Sequence, residues 1–248
     1  MQTHRLEISD LTVAYKRVPA VHHLSLELLC GSSIGLLGPN GAGKTSLLKA
    51  LVGLVPIESG SISFHGQEQQ LSAIAYLPQR SAIDWDFPIT VRELVEMGRY
   101  QSLGWWRPFR AEDRREVDRA LEAMDLVDLA ERQISALSGG QQQRAFLARS
   151  LAQKAHVFLL DEPFAGLDKP TQEHLGEAIR KLAQLGNLVI ASHHDLNSAR
   201  ELFDYVILLN GELVAFGETS EVLNDENIRR TFRTHIFSGV SHEPGLAI

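Results

Sequence analysis

Cysteine is almost missing: Cys30 is the single one in 248 residues. That excludes an internal disulfide and a CxxC metal site. The expected role of Cys30 is that of a small buried residue. Basic clusters are missing as well. Lys and Arg total 24 against 31 Asp and Glu, a formal net charge of −7, and no Lys/Arg block stands out. A nucleic-acid footprint is therefore not visible, and no nucleic-acid partner is expected. No apolar run reaches the roughly 18 to 20 residues a bilayer span needs. The first residues, MQTHRLEISDLTV, alternate like an edge strand and lack the apolar core of a secretory signal. A cytosolic chain is expected, with any membrane span supplied by another subunit. There is no tandem repeat or low-complexity segment, and from the short tail no appended regulatory domain is expected.

Hydrophobic residues are plentiful, at 44%, enough for one large α/β domain or two small ones. Alternation predicts strands over Arg5–Tyr15 and Ala20–Leu29, and a buried strand over Ser33–Leu37. A helix is predicted over Lys44–Leu51, with Gly53 suited to its C-cap. Gly60–His65 reads as another strand. From about Pro88 to Lys154 charges become dense and helical spacing dominates. Val117, Ala120, Leu121 and Met124 fall on one helix face. The α/β pattern then returns: a strand over His156–Leu160, a helix over Thr171–Leu185, a strand over Leu188–Ser192. Asn210-Gly211, between the apolar runs of Val206–Gly217, is a hairpin signal.

Two segments carry chemistry. Gly38-Pro39-Asn40-Gly41-Ala42-Gly43-Lys44-Thr45, followed by Ser46, fills every position of G-x-x-x-x-G-K-[ST] between a buried strand and a helix. Its glycines let backbone N–H groups turn inward onto phosphate oxygens, and the helix N-terminus adds its positive end. Lys44 reaches the β/γ-phosphates, and the Thr45 hydroxyl suits Mg²⁺. The strand Val157–Leu160 then ends in Asp161 and Glu162. A strand-end Asp holds Mg²⁺ in P-loop enzymes. A carboxylate beside it can polarise the attacking water. A second glycine-rich stretch, LSGGQQQR from Leu137 to Arg144, precedes an apolar helical run. Gly139 and Gly140 read as backbone exposed to something anionic, not as core filling.

With these pieces together, the whole chain resembles the nucleotide-binding subunit of ATP-binding cassette (ABC) transporters. The specific part is Leu137-Ser138-Gly139-Gly140-Gln141, which matches the family's signature. The resemblance implies an α/β P-loop NTPase core with an antiparallel β subdomain. It also implies a helical subdomain inserted at about 88–154, all within one cassette of residues 1–248. In such a family two cassettes pair head to tail, and each signature closes over ATP held by the partner's P-loop. A two-fold homodimer with ATP and Mg²⁺ is implied. By the same resemblance, Tyr15 stacks on adenine. Gln79 contacts Mg²⁺ or the water and senses the membrane partner. Asp168 lies in the loop that crosses between cassettes; Ala165 and Gly166 depart from the Ser or Thr often found there. Ser192-His193-His194-Asp195 offers two candidates for the switch histidine, and His194, directly before Asp195, fits the usual pattern.

The stretches around Asp84–Val91, Met97–Tyr100, Leu103–Trp106, Ser192–Leu196 and Asn227–Phe232 are similar to those of manganese/zinc/iron (metal-chelate class) importers. Exposed aromatics such as Trp85 and Trp106 would mark a docking site for the membrane subunit. The resulting expectation is an ATPase that powers a binding-protein-dependent importer of Mn²⁺ or Zn²⁺. It would sit peripherally on the cytoplasmic side of the membrane, with permease subunits as partners. A periplasmic or surface solute-binding protein would take part indirectly. An iron-siderophore or haem importer ATPase is the alternative, and a soluble cassette of iron–sulfur cluster assembly is a further one.

Overall fold

A computed structural model describes residues 5–15, 18–64, 67–68, 74–103 and 107–232. Trp105 and Trp106 lie outside the described residues, as does His65 at the end of its predicted strand. The strands over the described residues form two sheets. The first is antiparallel, in the order β2-β1-β4-β5, from β1 (Arg5–Tyr15), β2 (Val18–Leu29), β4 (Ser59–Phe64) and β5 (Gln67–Glu68). The second has the order β10-β9-β3-β8-β7-β6. It contains β3 (Ser32–Leu37), β6 (Ile74–Leu77), β7 (Val157–Leu160), β8 (Leu188–His193), β9 (Tyr205–Asn210) and β10 (Glu212–Glu218). Strands β6 to β9 and β3 pair in parallel; only β10 is antiparallel.

The burial of β1 and β2 explains their broken alternation. Leu6 and Ile8 are buried, then Leu11 and Val13, so the inward face changes parity at Asp10. Val21 gives way to Leu24, Leu26 and Leu28 in the same manner at His23. Asp10 (φ 50°) and His23 (φ 47°) both take the left-handed conformation at these irregularities. Such a bulge moves side chains to the other face, here keeping Leu6, Ile8, Leu11 and Val13 of β1 and Val21, Leu24, Leu26 and Leu28 of β2 inside. The two bulged residues face each other, with His23 Nδ1 2.7 Å from Asp10 Oδ1.

The parallel sheet reads differently because both its faces are covered. All four residues of β7 and all six of β8 are buried. α1 (Lys44–Leu51) packs between the two sheets, through Leu47, Leu48 and Leu51. Gly53 (φ 76°) follows its C-cap residue Val52, as the sequence suggests. α5 (Lys169–Gln184) covers the other face. It starts two residues before the predicted Thr171. Asp168 caps it and Pro170 fits its first turn, where a missing N–H costs nothing.

The helical part consists of α2 (Val91–Leu103), α3 (Ala111–Ala123) and α4 (Gly139–Ala152). The α3 stripe is as read: Val117, Ala120, Leu121 and Met124 are buried against Ala145, Ala148 and Leu126. Burying one such Val or Leu is worth about 1.5–3 kcal/mol. Arg99 on α2 and Asp113 on α3 form a buried ion pair, Nη2 to Oδ1 3.0 Å. The guanidinium also donates to the Ala152 carbonyl at 2.8 Å, which ties α2 to the end of α4. The short helices α6 (Leu196–Leu202), α7 (Thr219–Val222) and α8 (Asp225–Phe232) complete the described chain. No described helix is long and apolar enough to cross a membrane. Cys30 is half-buried, and burial raises its thiol to about 11, so it stays protonated.

Candidate functional site

Strand register assembles the site. Leu37 at the end of β3 pairs with His193, Leu160 with Ala191, and Leu77 with Leu160. The loops after β3, β6, β7 and β8 therefore open side by side at the carboxyl edge of the sheet, the usual place for a ligand. They deliver the 38–45 loop, Gln79, Asp161-Glu162 and His194.

The loop after β3 wraps the N-terminus of α1. Gly43 takes φ 94°, and a Cβ there would stand 2.2 Å from the Ala20 carbonyl oxygen. Only glycine fits both demands. Lys44 is 7% exposed, and its ammonium donates to the carbonyls of Gly38 at 2.7 Å and Pro39 at 2.9 Å. Burial pulls its pKa down, opposed by the nearby charges of Glu162 and Asp161. A cavity of about 280 Å³ is lined by Asn40 to Ser46, Ala20, Gln79 and Glu162. Four of the expected groups thus share one space: Lys44, Thr45, Gln79 and Glu162.

Asp161 is 2% exposed and accepts from three hydroxyls. Thr45 Oγ1 lies 3.1 Å from Oδ1, Ser192 Oγ 2.8 Å from Oδ1, and the Tyr76 hydroxyl 3.3 Å from Oδ2. Glu162 takes φ 50°, an unusual conformation for a residue with a side chain, and its N–H donates to Ser192 Oγ at 2.8 Å. Backbone strain of this kind gathers at functional positions. Tyr76 escapes a motif reading because it sits inside an apolar strand; Ser192 opens the Ser192–Asp195 stretch, but nothing in that pattern announces its bonds to the β7 strand end.

The two histidines separate sharply. His193 is 3% exposed, packed edge-on against Phe164 and Phe203, and bonded to Ser198 Oγ at 2.7 Å. Burial first, then the neighbouring His194, lowers its pKa to about 4, against the pull of Asp195. His194 is exposed. Asp195 is not in the site; it caps α6 through Asn197 N–H at 2.9 Å and Ser198 Oγ at 2.9 Å. The backbone of Tyr15 ends β1, while its side chain lies outside the described residues.

The segment 137–141 starts α4. Ser138 is the exposed N-cap, and Gln141 answers it: Ser138 N–H donates to Gln141 Oε1 at 2.9 Å. Gly140 corrects one expectation. It is buried, and a Cβ there would stand 2.2 Å from Thr171 Cγ2 of α5. This glycine serves close packing within the chain, whatever else its N–H meets. Among the described residues lining the phosphate-loop cavity, none comes from 137–141. Asp168, exposed, accepts from the Thr171 N–H at 3.1 Å; hydrogen bonding by the Thr171 side chain first, and then by that N–H, holds its carboxyl below the usual carboxylate range.

A second concavity, about 210 Å³, opens on the helical part and is almost wholly apolar. Ile83, Trp85, Phe87, Ile89, Met97 and Phe146 line it. Phe87 is 56% exposed and Met97 43%. Trp85 is half-buried, not exposed as its sequence position suggested, because its ring packs on Phe146 and lies under Arg80.

The model of a family described as ABC transporter matches residues 21–165. The chain belongs to the ABC transporter family. As an ATP-binding cassette of that family, it is a transporter ATPase. The cassette is 43% identical over 229 residues to the manganese transport system ATP-binding protein MntB of Bacillus subtilis, covering 92% of each chain. It is 42% identical over 241 residues to the zinc transport system ATP-binding protein TroB of Treponema pallidum, covering 95% of this chain and 89% of that one. Among solved structures, an inward-facing ABC transporter described as metal-chelate type matches with a TM-score of 0.81. Identity there is 29%, over 92% of this chain and 88% of the other.

Proposed function

We propose that this cassette is the ATPase subunit of a divalent-metal importer carrying Mn²⁺ or Zn²⁺. The observation that supports the ATPase site best is the single cavity shared by Lys44, Thr45, Gln79 and Glu162, with Asp161 hydrogen-bonded to Thr45. The names of the manganese and zinc relatives support the cargo.

In this reading residues 38–46 wrap the phosphates of ATP, and Lys44 leaves its backbone carbonyls to meet the β- and γ-oxygens. Tyr15 stacks on the adenine. The hydroxyl of Thr45, the carboxylate of Asp161 and the amide oxygen of Gln79 form an all-oxygen donor set. That chemistry fits Mg²⁺, a hard cation, better than a softer metal. Bound there, Mg²⁺ would neutralise charge developing on the phosphates. Glu162 accepts a proton from the water that attacks the γ-phosphorus, and ADP leaves with the cleaved oxygen. His194, exposed at the end of β8, donates to the γ-phosphate and helps hold Glu162. Buried, neutral His193 is the support behind it.

The signature Leu137-Ser138-Gly139-Gly140-Gln141 does not line its own chain's cavity, so it is assigned to a partner cassette's ATP. Asp168 lies in the loop facing that partner. The functional unit is a homodimer of cassettes, peripheral on the cytoplasmic side of the membrane. It is joined to permease subunits through the Trp85–Phe87–Met97 groove and served indirectly by a solute-binding protein. One cassette, residues 1–248, carries these parts. The metal-chelate description of the structural neighbour supports a second reading, an iron-chelate importer.

The test is ATP-dependent uptake of radioactive Mn²⁺ and Zn²⁺ by cells carrying the wild-type cassette or Lys44→Ala. Loss of uptake of one metal with Lys44→Ala supports the proposal and names the cargo. Unchanged uptake of both, with membrane subunits still co-purifying, rejects Mn²⁺ and Zn²⁺ and favours the iron-chelate reading.

A further inference from the structure

Arg80 directly follows Gln79 and engages two separate features. Its backbone carbonyl accepts from the Trp85 indole Nε1 at 2.9 Å, and its guanidinium carbon lies 5.5 Å from the Trp85 ring centroid. On the other side, Nη2 donates to Gln142 Oε1 at 2.9 Å. Gln142 is 3% exposed, sits one turn into α4, and donates from Nε2 to the Ile134 carbonyl at 3.0 Å. The guanidinium reaches it by passing over Gly139, where a Cβ would stand 2.7 Å from Nη1 and 2.9 Å from Leu167 Cδ2. One side chain therefore bridges the wall of the apolar groove and the signature end of α4. It does not line the phosphate-loop cavity.

We infer that Arg80 is a positioning residue that couples occupation of the groove to the placement of the signature. The inference rests on the groove being the docking surface for the membrane subunit, as proposed above. A helix entering the groove presses on Trp85. Trp85 holds Arg80 twice, by its indole N–H and by its ring face. Arg80 holds Gln142, and Gln142 lies on the helix that begins with Ser138 and Gly139. Each link is a packed or hydrogen-bonded contact, so a displacement at one end must be taken up at the other. A planar guanidinium suits this place because it can lie over the indole while donating to an amide oxygen from its edge; an ammonium is a compact, strongly hydrated point charge with no plane to stack. Gly139 gains a second reason for lacking a side chain: it leaves the passage for the guanidinium.

The experiment compares the isolated cassette with the complex it forms with its co-purifying membrane subunits, reconstituted in phospholipid vesicles. ATP turnover is measured in both for wild type, Arg80→Ala, Arg80→Lys and Trp85→Phe. The isolated Arg80→Ala cassette is expected to bind a fluorescent ATP analogue and turn over like wild type, and its complex to assemble. The ratio of complex to isolated turnover is expected to fall roughly 2- to 30-fold. Arg80→Lys should not restore it. Trp85→Phe, which keeps a ring but loses the indole N–H, should fall between. An unchanged ratio in Arg80→Ala overturns the coupling role. So does an equal loss in the isolated cassette, which would make Arg80 a part of the ATPase site or of the fold. If the wild-type complex does not assemble, the docking reading of the groove fails and this inference falls with it.

Discussion

Ser192 Oγ donates to Asp161 Oδ1 at 2.8 Å inside a fully buried contact. The same oxygen accepts the N–H of Glu162 at 2.8 Å. One hydroxyl thus braces both acids of the β7 strand end. Ser192→Ala removes a donor from a buried carboxylate and leaves a strained N–H unpaired. Turnover is expected to fall about 5- to 150-fold, as a buried hydrogen-bond loss of about 1–3 kcal/mol implies. Affinity for ATP should hardly move. Steady-state kinetics with a direct nucleotide-binding titration separates the two; a weakened affinity with unchanged turnover would contradict the assignment.

Glu162→Gln keeps the shape and the backbone but removes the proton acceptor. Hydrolysis is expected to drop by about 10² or more. ATP should then hold two cassettes together, visible as a dimer by light scattering. Wild-type phosphate release by this variant would remove Glu162 from its role.

Gly140→Ala sets a methyl group 2.2 Å from Thr171 Cγ2. Overpacking of this kind costs about 1–3 kcal/mol, more than the helix propensity gained from Ala. A lower Tm is the expected outcome. Thr171→Ser deletes the obstructing methyl, so the double variant should recover most of the loss. No recovery would mean the glycine is needed for another reason.

His193 gives a pH signature. Its folded pKa of about 4 lies below the ordinary 6.5. Between these values the unfolded chain binds more protons than the folded one, so stability falls as pH drops through that window and is whole above it. The largest share attributable to His193 is about 3 kcal/mol. His193→Asn should flatten denaturation midpoints between pH 6.5 and about 4.

Much of this was legible in the sequence because local pattern and fold agree. The 38–45 loop, the apolar β7 ending in Asp161 and the α3 stripe each declare themselves within a few residues. The family was legible from Leu137–Gln141 and is borne out by the match over residues 21–165. What stayed hidden is what depends on contacts between distant segments. Ser192 looks like one more small residue in an apolar strand until register sets it beside Asp161. Arg80 looks like a solvated charge until Gly139 and Gln142 arrive from over fifty residues away. Gly140 looked like exposed backbone because no sequence window contains Thr171. The parity changes at Asp10 and His23 are visible as broken alternation, but only the pairing of β1 with β2 makes sense of both together.

The tip of the β9–β10 hairpin is the last such case. Gly211 N–H donates to the Ala42 carbonyl at 3.0 Å, and the Gly211 carbonyl accepts from the His22 N–H at 2.8 Å. Tight turns at hairpin tips are ordinarily the safest places to cut a chain or splice in a tag. Here the tip is a rivet through the phosphate loop and the antiparallel sheet together. A permuted or tagged version opened at residue 211 would loosen nucleotide binding while leaving the hairpin's own strands paired, and epitope insertions should be sited elsewhere.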